Sequence, residues 1–153
     1  MDGTQLTAED FVTKPYPSFV KLDTIPWTEW VMPGVDFKLL NVDKRTGGFT
    51  CLLRVGPDNT APIHKHLGGI ELIVLDGEIM YEDTDIGTAG DYMYEPAGDV
   101  HRPMSPNGCT LFCVFLGPIA GLNEEDGSVA GIVDANVMIE MATAAGAISH
   151  LPQ

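Results

Sequence analysis

The chain has 153 residues, 44% of them hydrophobic and 20% charged. That is enough apolar chain for the core of one domain, and it excludes a disordered or fibrous polymer. Lys and Arg number 8 against 22 Asp and Glu, a net charge of −14, and a surface of that sign repels phosphate backbones and anionic membranes, so neither is an expected partner.

In chain order, Met1-Asp2-Gly3-Thr4-Gln5 does not start a charged-then-apolar leader, which leads us to expect a cytoplasmic protein. Residues 1–33 read as an N-terminal segment punctuated by Pro15, Pro17 and Pro26. Short β-rich pieces then recur between Gly- and Pro-containing turns: Trp27–Val31, Phe37–Val42, Phe49–Val55, Ile70–Leu75, Ile79–Tyr81, Tyr92–Tyr94 and Leu111–Leu116. Asp76-Gly77 reads as a hairpin turn that ends the fourth of these. The run 111–116 is also the longest apolar one, far too short to span a bilayer. After the acidic turn 123–128, Asp134 is placed to cap a helix over 135–145 that Gly146 closes. Seventeen Gly and eleven Pro argue against a helix bundle and for a sandwich or barrel. The expected organisation is a single domain over 1–153, with barrel elements over 34–118 and the turn and helix over 119–153.

Three cysteines, Cys51, Cys109 and Cys113, form no CxxC pair. On one strand, Cys109 and Cys113 lie about 13 Å apart, beyond disulfide reach. Buried free thiols are the expectation.

The chemistry concentrates in four histidines. His64 and His66, two apart in an extended segment, project from one face about 6.5–7 Å apart, within reach of one metal ion. Such a pair by itself is equally two exposed histidines flanking Lys65. Glu71 follows five residues on, and His101 stands beyond a Gly- and Pro-rich turn. Imidazole and carboxylate ligands suit Fe, Mn, Zn, Ni or Cu better than Mg or Ca. The turn Pro96-Ala97-Gly98 permits a sharp reversal that can return His101 towards the first pair. His150 reads as a surface residue, and Arg54 as facing outward. Phe49, Tyr94, Phe112 and Phe115 are either pocket walls or plain core.

The segments His64-Lys65-His66 … Glu71 … Gly77 and Gly90 … Pro96-Ala97-Gly98 … His101 resemble the two sequence motifs of the cupin superfamily. Two departures, a first motif one residue short between Glu71 and Gly77 and Ser105 where Asn is common, touch no ligand position. The resemblance implies an all-β fold, a double-stranded β-helix (jelly-roll barrel) with a C-terminal helix, and a metal held by His64, His66, Glu71 and His101. The stretches 48–55 and 92–96 resemble the 2,4'-dihydroxyacetophenone dioxygenases, and Phe115-Leu116-Gly117-Pro118 with the acidic turn and Ala-rich helix resembles the acetylacetone (β-diketone) dioxygenases. These resemblances imply Fe(II), with Zn, Mn or Ni as substitutes. They also imply cleavage of a carbon–carbon bond of a small, neutral, apolar ketone with O2. Glu71 is then a ligand or stands just outside the shell, Glu82 is the alternative carboxylate, and Glu95 is a residue that orients a ligand or substrate. Two rival functions remain: a redox-neutral isomerase, decarboxylase or hydrolase on the same ligands, and a non-catalytic metal sensor. A homodimer or homotetramer is expected, since two-fold pairing is the commonest assembly.

Overall fold

In the computed structural model, residues 18–81 and 85–151 are described. Thirteen strands and one α-helix follow in order: β1 (Thr28–Glu29), β2 (Val35–Asp43), β3 (Gly48–Val55), β4 (Asn59–Thr60), β5 (His64–His66), β6 (Ile70–Tyr81), β7 (Asp85–Thr88), β8 (Tyr92–Glu95), β9 (Val100–His101), β10 (Met104–Ser105), β11 (Cys109–Phe115), β12 (Ile119–Leu122), β13 (Val129–Val133) and α1 (Ala135–Ala144). The larger sheet runs β1-β2-β3-β11-β6-β10-β4, with β7 and β8 also paired to β6. The smaller sheet runs β13-β12-β5-β9. All pairings are antiparallel. The two sheets curl around one core, as the all-β expectation required.

Strand alternation sets the core. In β11 the residues Cys109, Leu111, Cys113 and Phe115 are buried while Thr110, Phe112 and Val114 are only partly so. In β6, Ile70, Leu72 and Val74 point inward and Ile73 and Leu75 outward. The inward set meets Phe37, Leu39, Phe49 and Leu53 of β2 and β3. Phe49 stacks on Phe115 at 4.4 Å between ring centroids, and Trp30 meets Phe115 edge-on at 6.1 Å. The three cysteines are free and buried, as expected. Cys51 lies directly opposite Cys113 on β3 and β11.

Two sequence expectations change. Asp76-Gly77 is no hairpin turn, because β6 continues through it to Tyr81. The register with β11 shifts at Leu75, and Gly77, with φ of 74°, is the last β6 residue paired to β11 before the strand goes on to pair with β7 and β10. A positive-φ glycine serves a hairpin turn and a strand that changes partners alike, so the dipeptide alone does not separate them. His150 is not a free surface residue: its Nε2 lies 2.6 Å from the Leu39 carbonyl and ties the C-terminal segment to β2. Arg54 is outward, paired with Asp36 at 2.7 Å.

The helix forms as its caps dictate. The Asp134 carboxylate accepts the Val137 amide at 2.9 Å, and Gly146 leaves with φ of 66°. Ala135, Met138 and Ala142 are buried against the barrel, and Met138 Sδ accepts the Trp30 indole N–H at 3.1 Å. Among the described residues no helix is long and apolar enough to cross a membrane.

Candidate metal centre

Strand register brings the three histidines together. His64 pairs with His101 across β5 and β9, so the two share a face, and His66 joins them two residues along β5. The turn before β9 is anchored where the reversal was expected: Gly98, with φ of 89°, donates its amide to the His66 carbonyl at 2.7 Å. On the other side of β5, Gly121 of β12 lies opposite His64. The result is a cluster whose ligand atoms all lie within 4.8 Å of one another.

The tautomers can be read from the partners. His64 Nδ1 lies 2.8 Å from the Pro62 carbonyl, which can only accept, so the proton sits on Nδ1 and Nε2 carries a lone pair. His101 Nδ1 lies 3.1 Å from Asp99 Oδ2, and donation to that carboxylate commits its proton there. The two Nε2 atoms then face each other at 2.8 Å as two acceptors. Burial lowers the pKa of His64 to about 4 and that of His66 to about 3, so a proton is a poor occupant of that gap. A divalent cation is a fitting one, and three neutral imidazoles backed by a carbonyl and carboxylates form a donor set for a first-row transition metal.

The carboxylate of the cluster is Glu95. Glu71, expected as a ligand, is not brought to the histidines. Ile70 pairs with Glu95, and Glu71 with Tyr94, across β6 and β8. Paired residues share a face, so the inward turn of Ile70 carries Glu95 inward and sends Glu71 to the opposite surface. There Glu71 Oε1 accepts the Tyr92 hydroxyl at 2.7 Å. Glu82 lies outside the described residues. Glu95 is buried, and its Oε2 lies 3.3 Å from His66 Nε2 and 3.0 Å from His101 Nδ1 while accepting no hydrogen bond. Its Oε1 accepts the Tyr81 hydroxyl. Burial pushes the Glu95 carboxyl up to about 7, against the opposing pull of the Tyr81 hydrogen bond. Tyr81 escaped the sequence reading because it lies in an apolar strand. The alternation that puts Ile79 inward does the same for Tyr81, whose ring stands nearly perpendicular to His101 at 4.8 Å.

His64 and His66 open onto a cavity between the two sheets. Trp30, Leu53, Ile79, Met104, Leu111 and Phe115 form much of its wall, and among the described residues no Lys, Arg, Asp or Glu lines it. Two of its polar side chains are already engaged: Ser105 Oγ donates to the Glu78 carbonyl at 2.6 Å, and Asn59 Nδ2 to the Pro33 carbonyl at 2.8 Å. Of the four aromatics considered from sequence, Phe115 lines this cavity and Phe49 stacks behind it. Tyr94 and Phe112 lie on the outer face of the sheet.

The model of the ChrR cupin-like domain matches residues 17–120. No curated protein matches the chain. Among solved structures, an acetylacetone dioxygenase from Acinetobacter johnsonii superposes with a TM-score of 0.67 at 17% identity, covering 94% of this chain and 92% of that one. A candidate acetylacetone dioxygenase from Methylibium petroleiphilum PM1 gives 0.74 at 23% identity, covering 90% and 97%. A chain from the Rhodobacter sphaeroides complex of SigE with the anti-sigma ChrR gives 0.52 at 24% identity, covering 62% and 51%. At these identities the likeness is one of fold.

Proposed function

The chain belongs to the ChrR cupin-like family, and from that fold and this site we propose that it is a mononuclear non-haem Fe(II) dioxygenase. Its substrate is a β-diketone or hydroxyacetophenone-type ketone, one of whose carbon–carbon bonds is cleaved with O2. The observation behind this is a three-histidine cluster two of whose members, His64 and His66, open into a mostly apolar cavity with no Lys, Arg, Asp or Glu among its described lining residues. The fold shared with an acetylacetone dioxygenase supports it.

His64, His66 and His101 would hold the ion, with Glu95 packed against the last two. Ferrous iron there supplies positive charge for a deprotonated ketone and the redox capacity to react with O2, chemistry that needs no organic cofactor because both oxygen atoms end in products. The residues around it do the rest. Pro62 fixes the His64 ring by accepting its Nδ1 proton. Burial keeps the imidazoles neutral, so the ion's charge is not cancelled by its ligands. Trp30, Phe115 and their apolar neighbours receive the body of the ketone and exclude water around it. Away from the metal, the described wall offers no ionised side chain, which suits a ketone whose body is neutral and apolar.

The test is an oxygen electrode. Anaerobically prepared Fe(II) protein is offered acetylacetone, an aryl 1,3-diketone and 2,4'-dihydroxyacetophenone. One O2 is expected per ketone consumed, with a carboxylic acid among the products. Zn in place of Fe should leave ketone binding and end oxygen uptake, since Zn has no redox chemistry. Equal turnover with Zn under anaerobic conditions would replace this reading with a redox-neutral one. A second reading, a metal sensor, is favoured by the family's namesake domain and by the likeness to a chain of the SigE–ChrR complex. Tight metal binding with no oxygen uptake across the panel would select it.

A further inference from the structure

The geometry points to Tyr81 as a positioning residue of the metal centre: its hydroxyl holds Glu95 so that the free carboxylate oxygen stands against His66 and His101. The inference rests on the metal-binding reading of the cluster and not on the dioxygenase reaction.

The two oxygens of Glu95 are used differently. Oε1 is committed to Tyr81, whereas Oε2 is buried, takes no hydrogen bond, and lies 3.0 Å from His101 Nδ1 and 3.3 Å from His66 Nε2. A buried carboxylate with one oxygen unpartnered is costly unless something holds it in place and something cationic lies nearby. Glu95 is the last residue of β8 and precedes Pro96, so its backbone is set by the sheet while its side chain is not. The Tyr81 hydroxyl supplies the missing constraint. It comes from the inward end of β6, and its ring packs edge-on against His101 at 4.8 Å, so the same residue touches the ligand directly and through Glu95.

The choice of donor matters. A Lys or Arg would orient Glu95 equally well but would also neutralise it. A phenol orients it and leaves the negative charge facing the imidazoles. A carboxylate beside a ligating histidine fixes the ring and raises its basicity, and losing such a partner typically costs about 10–100-fold in metal affinity. The sequence offered Glu71 as a ligand, Glu82 as the alternative and Glu95 as an orienting residue. The strand parity that turns Glu71 outward turns Glu95 and Tyr81 inward together.

The test is a cycle of four proteins: wild type, Tyr81→Phe, Glu95→Ala and the double variant. Each is loaded with Co(II), whose affinity is read by competition with a chromophoric chelator and whose visible spectrum reports ligand geometry. Tyr81→Phe keeps the ring and removes the hydroxyl. It should weaken Co(II) about ten-fold or more and shift the visible bands. In the Glu95→Ala background the same change should cost almost nothing, because the hydroxyl then has no carboxylate to hold. If circular dichroism shows that Tyr81→Phe does not fold, Glu95→Gln tests the same link, since a neutral amide should weaken Co(II) and shift its bands in the same direction. Wild-type affinity and spectrum in Tyr81→Phe would overturn the inference, as would an equal penalty in both backgrounds. Failure of the wild type itself to bind Co(II) would instead sink the metal-centre reading beneath it.

Discussion

At the scale of single residues, the histidines and the carboxylates behaved differently. His64, His66 and His101 are legible because motif spacing and turn residues do not depend on which face a strand turns inward. The carboxylate is not legible, because one residue of register decides between the faces. Glu71 and Glu95 are thus separated by pleat parity that the sequence does not declare. The consequence is a sharp pair of expected outcomes. Alanine at His64, His66 or His101 should abolish stoichiometric metal by elemental analysis while leaving a folded β protein. Glu71→Gln should keep wild-type metal content, and loss of metal there would restore Glu71 to the shell. The same environment sets a pH dependence. The folded-state pKa values of His64, about 4, and His66, about 3, lie below the ordinary 6.5, and that of His101 is lowered in the same sense, chiefly by burial. The unfolded chain therefore binds more protons between pH 6.5 and 4. The stability these groups contribute to metal-free protein is complete above pH 6.5 and is lost as the pH falls through that window. Glu95 acts oppositely, since its raised value, about 7 against 4.5, makes the folded state the better proton binder there. Three histidines outweigh one carboxyl, so urea midpoints of chelator-treated protein should fall on acidification. Glu95→Gln should make that fall steeper, and a midpoint flat from pH 7 to 4 would contradict the account.

At the scale of elements, long apolar strands and the capped helix are the legible part. The expected Phe37–Val42, Phe49–Val55 and Leu111–Leu116 lie within or nearly within β2, β3 and β11, and the 135–145 helix differs from α1 by one residue. The short strands are not legible, because two- to four-residue pieces such as β4, β9 and β10 have no periodicity of their own and exist only through their partners. β12, which runs beside the histidine strand, and β13 beyond it are Gly-containing and partly exposed, so their composition gives little strand signal. At Asp76-Gly77 a local turn signal is overridden by tertiary pairing. At Gly77 a Cβ would sit 2.2 Å from the Gly108 carbonyl, with φ already at 74°. Gly77→Ala should therefore be strongly destabilising, by well over the ~1 kcal/mol that a glycine replacement costs at an unstrained site. Asp134→Ala should cost only about 1 kcal/mol, the usual worth of an N-cap. Thermal melts of the two variants should rank in that order, and the reverse order would mean that β6 does not depend on the close backbone approach at Gly77.

At the scale of the whole molecule, the surface is uneven. A net charge of −14 is spread over the protein, yet the outer face of the larger sheet carries rows of apolar side chains. Phe112, Ile73 and Tyr92 align across β11, β6 and β8, with Val114, Glu71 and Tyr94 in the next row. Ile73, Leu75, Tyr92 and Tyr94 are 41–59% exposed. The one carboxylate in these rows, Glu71, is held by the Tyr92 hydroxyl. Two acidic copies repel wherever their charged surfaces meet, so a face with rows of exposed apolar side chains, such as this one, is where they can approach. A homodimer through this face, or a tetramer built from such dimers, is the expected state, and an isologous contact would use the patch twice. Two consequences follow from the charge. Association should strengthen as salt rises from about 0.05 to 0.5 M, because screening removes the repulsion while leaving apolar burial intact. Ile73→Lys should weaken pairing despite lowering the net negative charge, because it places an ammonium in the apolar contact. Light scattering at micromolar concentration reads both. A monomer at every salt concentration, or an Ile73→Lys protein that associates like wild type, would show that copies of the chain do not meet on this sheet.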